Sequence, residues 1–258
     1  MPNKRLGQHF LIDPNIVRKI VALAAIRPDE TVLEIGPGRG ALTRMLCERA
    51  ARVIAIELDR ELERRLREKL ADCRNLELHQ SDALAYPFRS LPERSVVVAN
   101  LPYNVSSPIL FALLEARERF VRMILMLQTE VAQRLASKPG SKDYGVLSVL
   151  AQAFADIRVA FRVAPTCFQP PPKVSSSVVH LTMPRHVPVA IPDHAAFTKT
   201  VRAAFAHRRK TLINSLRDEG YKAQTILPAL ETAGLQPEIR AERLSIEQFA
   251  RLSTALNS

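Results

Sequence analysis

The tetrapeptide at residues 100–103 carries the residue types that most clearly suggest chemistry in this chain. An exocyclic amine on a nucleobase is a poor nucleophile because its lone pair is delocalised into the ring. A side-chain amide oxygen and a carbonyl in a proline-stiffened turn can accept its two N–H groups and draw that lone pair out of conjugation. Asn100 would supply the amide and the turn the carbonyl, while Tyr103 offers a face on which an extruded base can stack. The simpler alternative is an ordinary turn, which Asn and Pro both favour. The element consists of Asn100, Leu101, Pro102 and Tyr103.

A second aromatic residue, Phe168, precedes a run of three prolines and Lys173. Its ring has two possible roles, which its position in the sequence does not separate. It could close the opposite face of an extruded base, or it could pack in the core as most aromatic rings do.

A strand, a glycine turn and a helix are predicted near residue 36. Val32, Leu33 and Ile35 indicate a buried strand, and glycines follow at alternate positions from Gly36. Such a turn presents bare backbone and a helix N-terminus to a ligand. Glu57 ends the next predicted strand, where an acid can accept hydrogen bonds from both ribose hydroxyls. Together these features predict a nucleoside cofactor. The spacing also fits a dinucleotide, and a tight turn with no ligand is the simplest alternative.

The elements that must position these residues alternate between strand and helix up to about residue 127. This pattern predicts an α/β fold of the Rossmann-like kind, with a parallel sheet covered by helices on both faces. Ligands bind beyond the carboxyl ends of such strands, so residues that follow successive strands should gather at one rim. Asp82 follows the third strand, where it could accept from an adenine amine or cap a turn. Two later runs, 157–163 and 177–183, are predicted as edge strands or a hairpin. The rim residues are Gly36, Glu57, Asp82 and Asn100.

Composition favours a polyanionic partner. Lys and Arg number 37 against 26 acidic residues, which gives a net charge of +11 in 258 residues. This excess favours nucleic acid over a membrane surface. Three widely spaced cysteines have no metal-ligand spacing, and the first ten residues have no apolar signal-peptide core. We therefore expect a cytoplasmic protein with reduced thiols, no metal and no membrane span.

A proline-containing linker at residues 184–192 separates two predicted domains. Residues 1–184 form the α/β domain. Residues 185–258 form a small all-helical domain, with helices at 194–207, 208–218, 223–233 and 245–256. A basic cluster within it is predicted to bind RNA phosphates, and a solvated helix surface is the alternative. The cluster consists of His207, Arg208, Arg209 and Lys210.

With these motifs in view, nearly the whole chain resembles the S-adenosylmethionine-dependent ribosomal RNA adenine dimethyltransferases of the KsgA/RsmA type. The combination of residues 100–103 with the run at 168–174 is specific, whereas the glycine motif alone is not. Further matching segments are residues 7–11, 34–38, 57–59, 127–128 and 205–212.

The resemblance implies a site and a substrate. It implies S-adenosylmethionine as cofactor, and dimethylation of two adjacent adenines near the 3′ end of 16S rRNA within an immature 30S subunit, by a monomer. Many members carry Asn at the position of His9, and only a backbone contact would survive that difference. The implied cofactor contacts are His9, Leu11, Gly36, Glu57, Asp82 and Asn100, and the implied RNA contacts are Lys173, Arg208, Arg209 and Lys210.

Three other functions are compatible with part of the sequence. A nicotinamide-dependent dehydrogenase would share the glycine and acid spacing, but residues 185–258 contain no sign of a hydride-acceptor site. A non-catalytic ribosome-binding factor would not need the element at 100–103. A related enzyme acting on large-subunit rRNA is disfavoured by the long C-terminal region with its Arg-Arg-Lys element.

Overall fold

The computed structural model describes residues 8–184, 189–207 and 209–257, and within them the chain divides into two compact units. The first comprises residues up to Ala132 together with Asp156–Met183, and the second comprises Gln133–Ala155 and the residues from Pro184 onward. The boundary predicted after residue 184 thus lies one residue from the observed division between Met183 and Pro184. The segment Gln133–Ala155, which the sequence analysis placed in the first domain, groups with the second unit.

The first unit contains a seven-stranded sheet and a separate two-stranded sheet. The strands are β1 (Phe10–Leu11), β2 (Thr31–Ile35), β3 (Arg52–Glu57), β4 (Leu76–Gln80), β5 (Ser95–Asn100), β6 (Phe120–Gln128), β7 (Asp156–Val163), β8 (Phe168–Gln169) and β9 (Ser176–Thr182).

The large sheet has the order β4-β3-β2-β5-β6-β9-β7. Strands β2 to β6 pair in parallel, as the alternating pattern predicts. Their interiors are apolar because helices cover both faces of such a sheet. β9 runs antiparallel between β6 and β7. The run at 157–163 is therefore an edge strand as predicted, whereas β9 lies inside the sheet. β1 and β8 form the two-stranded sheet.

Local signals explain where the helices begin. The Asp13 carboxylate accepts from the Asn15 N–H at 2.8 Å, and Pro14 occupies the first helical position. The Asp59 carboxylate likewise accepts from the N–H groups at the start of the third helix. The helix predicted after the glycine turn is short and covers Thr43–Cys47, because its flanking residues form turns. The helices that begin in the first unit are α1 (Pro14–Ala24), α2 (Thr43–Cys47), α3 (Arg60–Lys69), α4 (Ser106–Glu115) and α5 (Thr129–Leu135).

The regular secondary structure of the second unit is helical, and its described residues contain no strand. Its core contains the fully buried rings of Phe197 and Phe249. The helix predicted to begin at 208 begins at Leu212, because residues 209–210 form a turn and a bend. The helices are α6 (Val146–Gln152), α7 (His194–Phe205), α8 (Leu212–Asp218), α9 (Ala223–Thr232) and α10 (Ile246–Leu256). No helix among the described residues has the length and apolar character needed to cross a bilayer.

Candidate active site

A cleft lies at the carboxyl ends of the parallel strands, where the strand order reverses between β2 and β5. This reversal is the usual ligand-binding point of an open α/β sheet. The four residues predicted to gather at one rim do line a single cleft, and so do both residues predicted from the N-terminal arm. The predicted residues in its lining are His9, Leu11, Gly36, Glu57, Asp82, Asn100, Leu101, Pro102 and Tyr103.

The glycine turn after β2 has a left-handed backbone. Gly36 has φ +68° and Gly38 has φ +57°, a region that side chains rarely adopt. A Cβ on Gly38 would lie 3.0 Å from the Phe10 ring. The guanidinium of Arg39 lies 4.5 Å from the centroid of the same ring, within the range of a cation–π contact. Phe10 therefore packs over the turn, a contact that the sequence motif did not reveal.

The Glu57 carboxylate is held by the backbone of two loops. It accepts from the Gly38 N–H and from the Asp59 N–H, both at 3.0 Å. The residue is only 5 % exposed, and this burial raises its pKa even though the two backbone bonds lower it. A carboxylate has about four acceptor positions, so two remain for ribose hydroxyls after these bonds are formed.

A second acid, Glu34, lies in the same cleft and was quoted in the sequence only as part of the glycine motif. It is 1 % exposed, and its Oε2 atom has no hydrogen-bond partner among the described residues. Burial raises its pKa to about 8, and the charge of nearby Glu57 acts in the same direction. The signal in the sequence was an acid inside an otherwise apolar strand.

Asp82 combines the two roles that the sequence left open. Its Oδ1 accepts from the Leu84 N–H at 2.9 Å, which makes it the cap of a turn. The side chain is also exposed and lines the cleft, so its second oxygen is available to a ligand.

The Asn100 side chain is oriented by the N-terminal arm. Its amide N–H donates to the His9 carbonyl oxygen at 3.2 Å. An amide has separate donor and acceptor ends. Because the donor end is engaged by His9, the Oδ1 atom is the end left to accept from a substrate amine.

Tyr103 and His9 form an aromatic pair in the cleft. Their ring centroids are 5.4 Å apart, with an interplanar angle of 32°. The Tyr103 hydroxyl is hydrogen-bonded to Ser176 Oγ at 2.5 Å, and His9 Nδ1 is 2.8 Å from the Pro170 carbonyl oxygen. Burial raises the pKa of the Tyr103 phenol, so the group stays neutral near pH 7 and cannot serve as a base.

Phe168 is not part of the cleft lining. The residue is 2 % exposed, in a core cluster that also contains Leu11 and Val163. Its strand β8 pairs with β1, which places Leu11 opposite Phe168. Of the two roles that the sequence left open for this ring, the structure places it in the core.

The residues predicted to contact RNA lie on exposed surfaces where the structure describes them. Lys173 is exposed, and so is Arg209. Lys210 Nζ is 2.5 Å from the Asp218 carboxylate, which also has His207 within 3.6 Å. An incoming phosphate would have to compete with that acid for Lys210. Arg208 lies outside the described residues. No cluster of three or more His, Cys, Asp or Glu side chains suited to a metal occurs within the described ranges.

Comparison with known proteins gives a consistent family. The sequence profile of ribosomal RNA adenine dimethylase matches residues 2–258. The ribosomal RNA small subunit methyltransferase A of Geobacter metallireducens is 44% identical over 98% of this chain and 94% of its own length. A dimethyladenosine transferase from Plasmodium falciparum superposes with a TM-score of 0.83 at 29% identity, covering 95% of this chain and 96% of the other. The 23S rRNA methyltransferase ErmE gives a TM-score of 0.71 at 30% identity, covering 96% and 100%.

Proposed function

Because this chain belongs to the ribosomal RNA adenine dimethylase family, we propose that it dimethylates the N6 amines of two adjacent adenosines near the 3′ end of 16S rRNA. The observation that carries this proposal is the shared cleft. The glycine turn and Glu57, which suit a nucleoside cofactor, line the same cavity as Asn100 and Tyr103, which suit an extruded adenine. Had Glu57 and Tyr103 faced different cavities, no methyl group could have passed between their ligands.

The residues of the cleft fit S-adenosylmethionine. The acids Glu34, Glu57 and Asp82 line it, which suits a ligand that carries a sulfonium and an ammonium group. Glu34 is buried and its raised pKa keeps its carboxyl protonated near pH 7, so a positively charged group bound beside it would favour release of that proton. The left-handed turn at Gly36 lets the backbone approach the ligand closely. When bound, this cofactor supplies an electrophilic methyl group.

The chain itself contributes positioning to the reaction. Asn100 Oδ1 accepts one N–H of the adenine amine, and the carbonyl of the Leu101–Pro102 turn accepts the other. The lone pair is then directed at the methyl group, and the Tyr103 ring supports the base from one face. In such a transfer the positive charge would be dispersed between sulfur and nitrogen, so a cleft that excludes water would favour it. The methylated amine then releases its proton to solvent, so no strong base is required.

We propose a division of labour along the chain that follows the two domains. Within the proposed domain 1–184, the residues of the first unit bind the cofactor and carry out the transfer, and the proposed domain 185–258 supplies most of the contacts with rRNA. Lys173 and the basic residues 208–210 are the proposed phosphate contacts. The partner is 16S rRNA in an immature 30S subunit, and the enzyme acts in the cytoplasm as a monomer.

The similarity to ErmE makes large-subunit rRNA the alternative substrate. The curated relative that is 44% identical carries the name of a small-subunit enzyme, which favours 16S rRNA. Both substrates would use the same cleft chemistry, so only the identity of the modified RNA separates them.

The deciding experiment maps labelled methyl groups. Purified protein is incubated with labelled S-adenosylmethionine and, separately, with 30S and 50S particles from a strain that lacks the small-subunit dimethylation. We expect label on two adjacent adenines near the 3′ end of 16S rRNA, and particles from a methylated strain should take up none. Label only in 23S rRNA would refute the small-subunit proposal, and label in neither RNA would refute the function.

A further inference from the structure

The ring of Tyr103 is held at two points that involve residues far from it in sequence. Its hydroxyl bonds Ser176 Oγ at 2.5 Å, across 73 positions of the chain. The Tyr103 ring also pairs with the His9 ring, with 5.4 Å between the two centroids. His9 is held in turn by its Nδ1 atom, 2.8 Å from the Pro170 carbonyl oxygen. Tyr103 therefore has partners before any substrate arrives.

The antiparallel strand β9 explains why Ser176 can reach the cleft. Ser176 is the first residue of β9 and pairs with Gln128, the last residue of β6. Since β9 runs opposite to its neighbour, its first residue lies at the carboxyl end of the parallel strands, where the cleft is. Ser176 is fully buried, so its hydroxyl has no water to replace Tyr103 as a partner.

A neighbouring serine provides an internal comparison. Ser177 is 1 % exposed, but its side chain points to the other face of the sheet, as successive residues of a strand do. Its Oγ is hydrogen-bonded to Thr129 Oγ1 at 3.1 Å. Two adjacent, equally buried hydroxyls thus differ mainly in that one of them contacts Tyr103.

Stacking a swung-out base on a ring is favourable only if the ring is in the required orientation when the base arrives. A tyrosine free to change rotamer would have to be ordered at that moment, which would slow the transfer. We propose that Ser176 and the His9 side chain are positioning residues that hold Tyr103 as a preformed stacking face for the target adenine. This inference rests on the function proposed above and extends it to residues that do not touch the reacting atoms.

The test compares Ser176→Ala, Tyr103→Phe and the double variant in single-turnover methyl transfer to 30S particles at saturating cofactor. Each single variant removes the same hydrogen bond between Tyr103 and Ser176. Tyr103→Phe changes the partly exposed partner of that bond and retains the aromatic ring. We expect each to lower the rate about tenfold, with S-adenosylmethionine affinity unchanged. The double variant should be no slower than either single one, because one interaction has been removed. Ser177→Ala is the matched control and should transfer at the parent rate.

His9 is tested by pairing His9→Phe with His9→Ala. Both substitutions remove the contact between His9 Nδ1 and the Pro170 carbonyl oxygen, but phenylalanine keeps a ring against Tyr103 and alanine does not. We expect His9→Phe to transfer faster than His9→Ala, with the same cofactor affinity in both.

Several outcomes would overturn the inference. Tyr103→Phe at the parent rate, additive losses in the double variant, equal losses in Ser177→Ala, or equal rates for the two His9 variants would each do so. Failure of the proposed function looks different, because the parent protein would then methylate neither subunit. An active parent with unaffected variants refutes only the positioning role.

Discussion

Replacing Asn100 with alanine is the most direct test of how the cleft activates an amine. The substitution removes the Oδ1 acceptor and the N–H that donates to the His9 carbonyl oxygen at 3.2 Å. The first loss affects catalysis, because the acceptor contacts a nitrogen that becomes positively charged during transfer. The second affects folding, because it removes one hydrogen bond between the N-terminal arm and the end of β5.

The two losses have different expected sizes. A single preorganised polar group at a developing charge contributes roughly 3–4 kcal/mol, so the turnover should fall about 10²- to 10³-fold. One neutral hydrogen bond contributes about 1 kcal/mol to stability, so the melting temperature should fall by no more than about 4 °C. The backbone should be little affected, because Asn100 is only partly buried at the end of its strand.

The assay is single-turnover transfer to 30S particles, with cofactor affinity and thermal unfolding measured on the same preparations. Asn100→Asp keeps two acceptor oxygens but lacks the N–H toward His9, and we expect its rate to lie between those of the parent and Asn100→Ala. Asn15→Ala, at an exposed position of helix α1, is the control for handling and should match the parent. Transfer by Asn100→Ala at the parent rate would show that Asn100 is not the acceptor.

Three further predictions concern the turn, the RNA surface and the buried acid. Gly38→Ala should weaken cofactor binding, because its Cβ would lie 3.0 Å from the Phe10 ring. The control Gly220→Ala has φ +88° and open space around its Cβ, so it should cost only backbone strain of about 1–2 kcal/mol. Calorimetry with S-adenosylmethionine would compare the two, and equal affinities would contradict the prediction. Neutralising residues 208–210 should weaken 30S binding and reduce the slope of log affinity against log salt concentration by about one unit per lost phosphate contact. Neutralising three arginines of α3 should leave that slope unchanged. An unchanged slope in the 208–210 variant would show that this surface does not contact RNA phosphates. The Glu34 pKa is raised from 4.5 to about 8 in the folded protein, so the folded state retains a proton that the unfolded chain releases. The free energy of unfolding should therefore fall by up to about 1.4 kcal/mol per pH unit between pH 5 and pH 8 relative to Glu34→Gln; parallel urea-denaturation curves would contradict this.

The fold could be predicted as far as the sequence carries local signals. Alternating apolar runs identified the five parallel strands, and Asp13 and Asp59 marked helix starts through caps. The position of β9 could not be predicted, because its short run of mixed polar and apolar residues is compatible with a strand at an edge or between two neighbours. The grouping of Gln133–Ala155 with the second unit was also hidden, since α6 packs against α7, a helix distant in sequence.

The site could be predicted where the chemistry is carried by the residue type. Glycine in a turn and Asn before Leu-Pro are informative by themselves, and both lie in the cleft. An aromatic ring is not, because Phe168 and Phe10 look alike in sequence. Pairing of β1 with β8 buries the ring of Phe168 in the core and leaves Phe10 over the glycine turn. Sequence position alone could not decide which of the two lines the cleft.

The contacts that orient the site all join separate segments of the chain. Gly38 and Glu57 are 19 positions apart, Tyr103 and Ser176 are 73 apart, and His9 and Asn100 are 91 apart. Each motif on its own specifies only a turn or a strand end, and the residue that orients its functional group lies in another segment of the chain. Residue 9 shows the consequence most clearly. Its backbone carbonyl orients Asn100 whatever its side chain is, so a different residue at this position would leave the amide's direction unchanged. The contacts with the Tyr103 ring and with the Pro170 carbonyl oxygen, by contrast, depend on the histidine side chain.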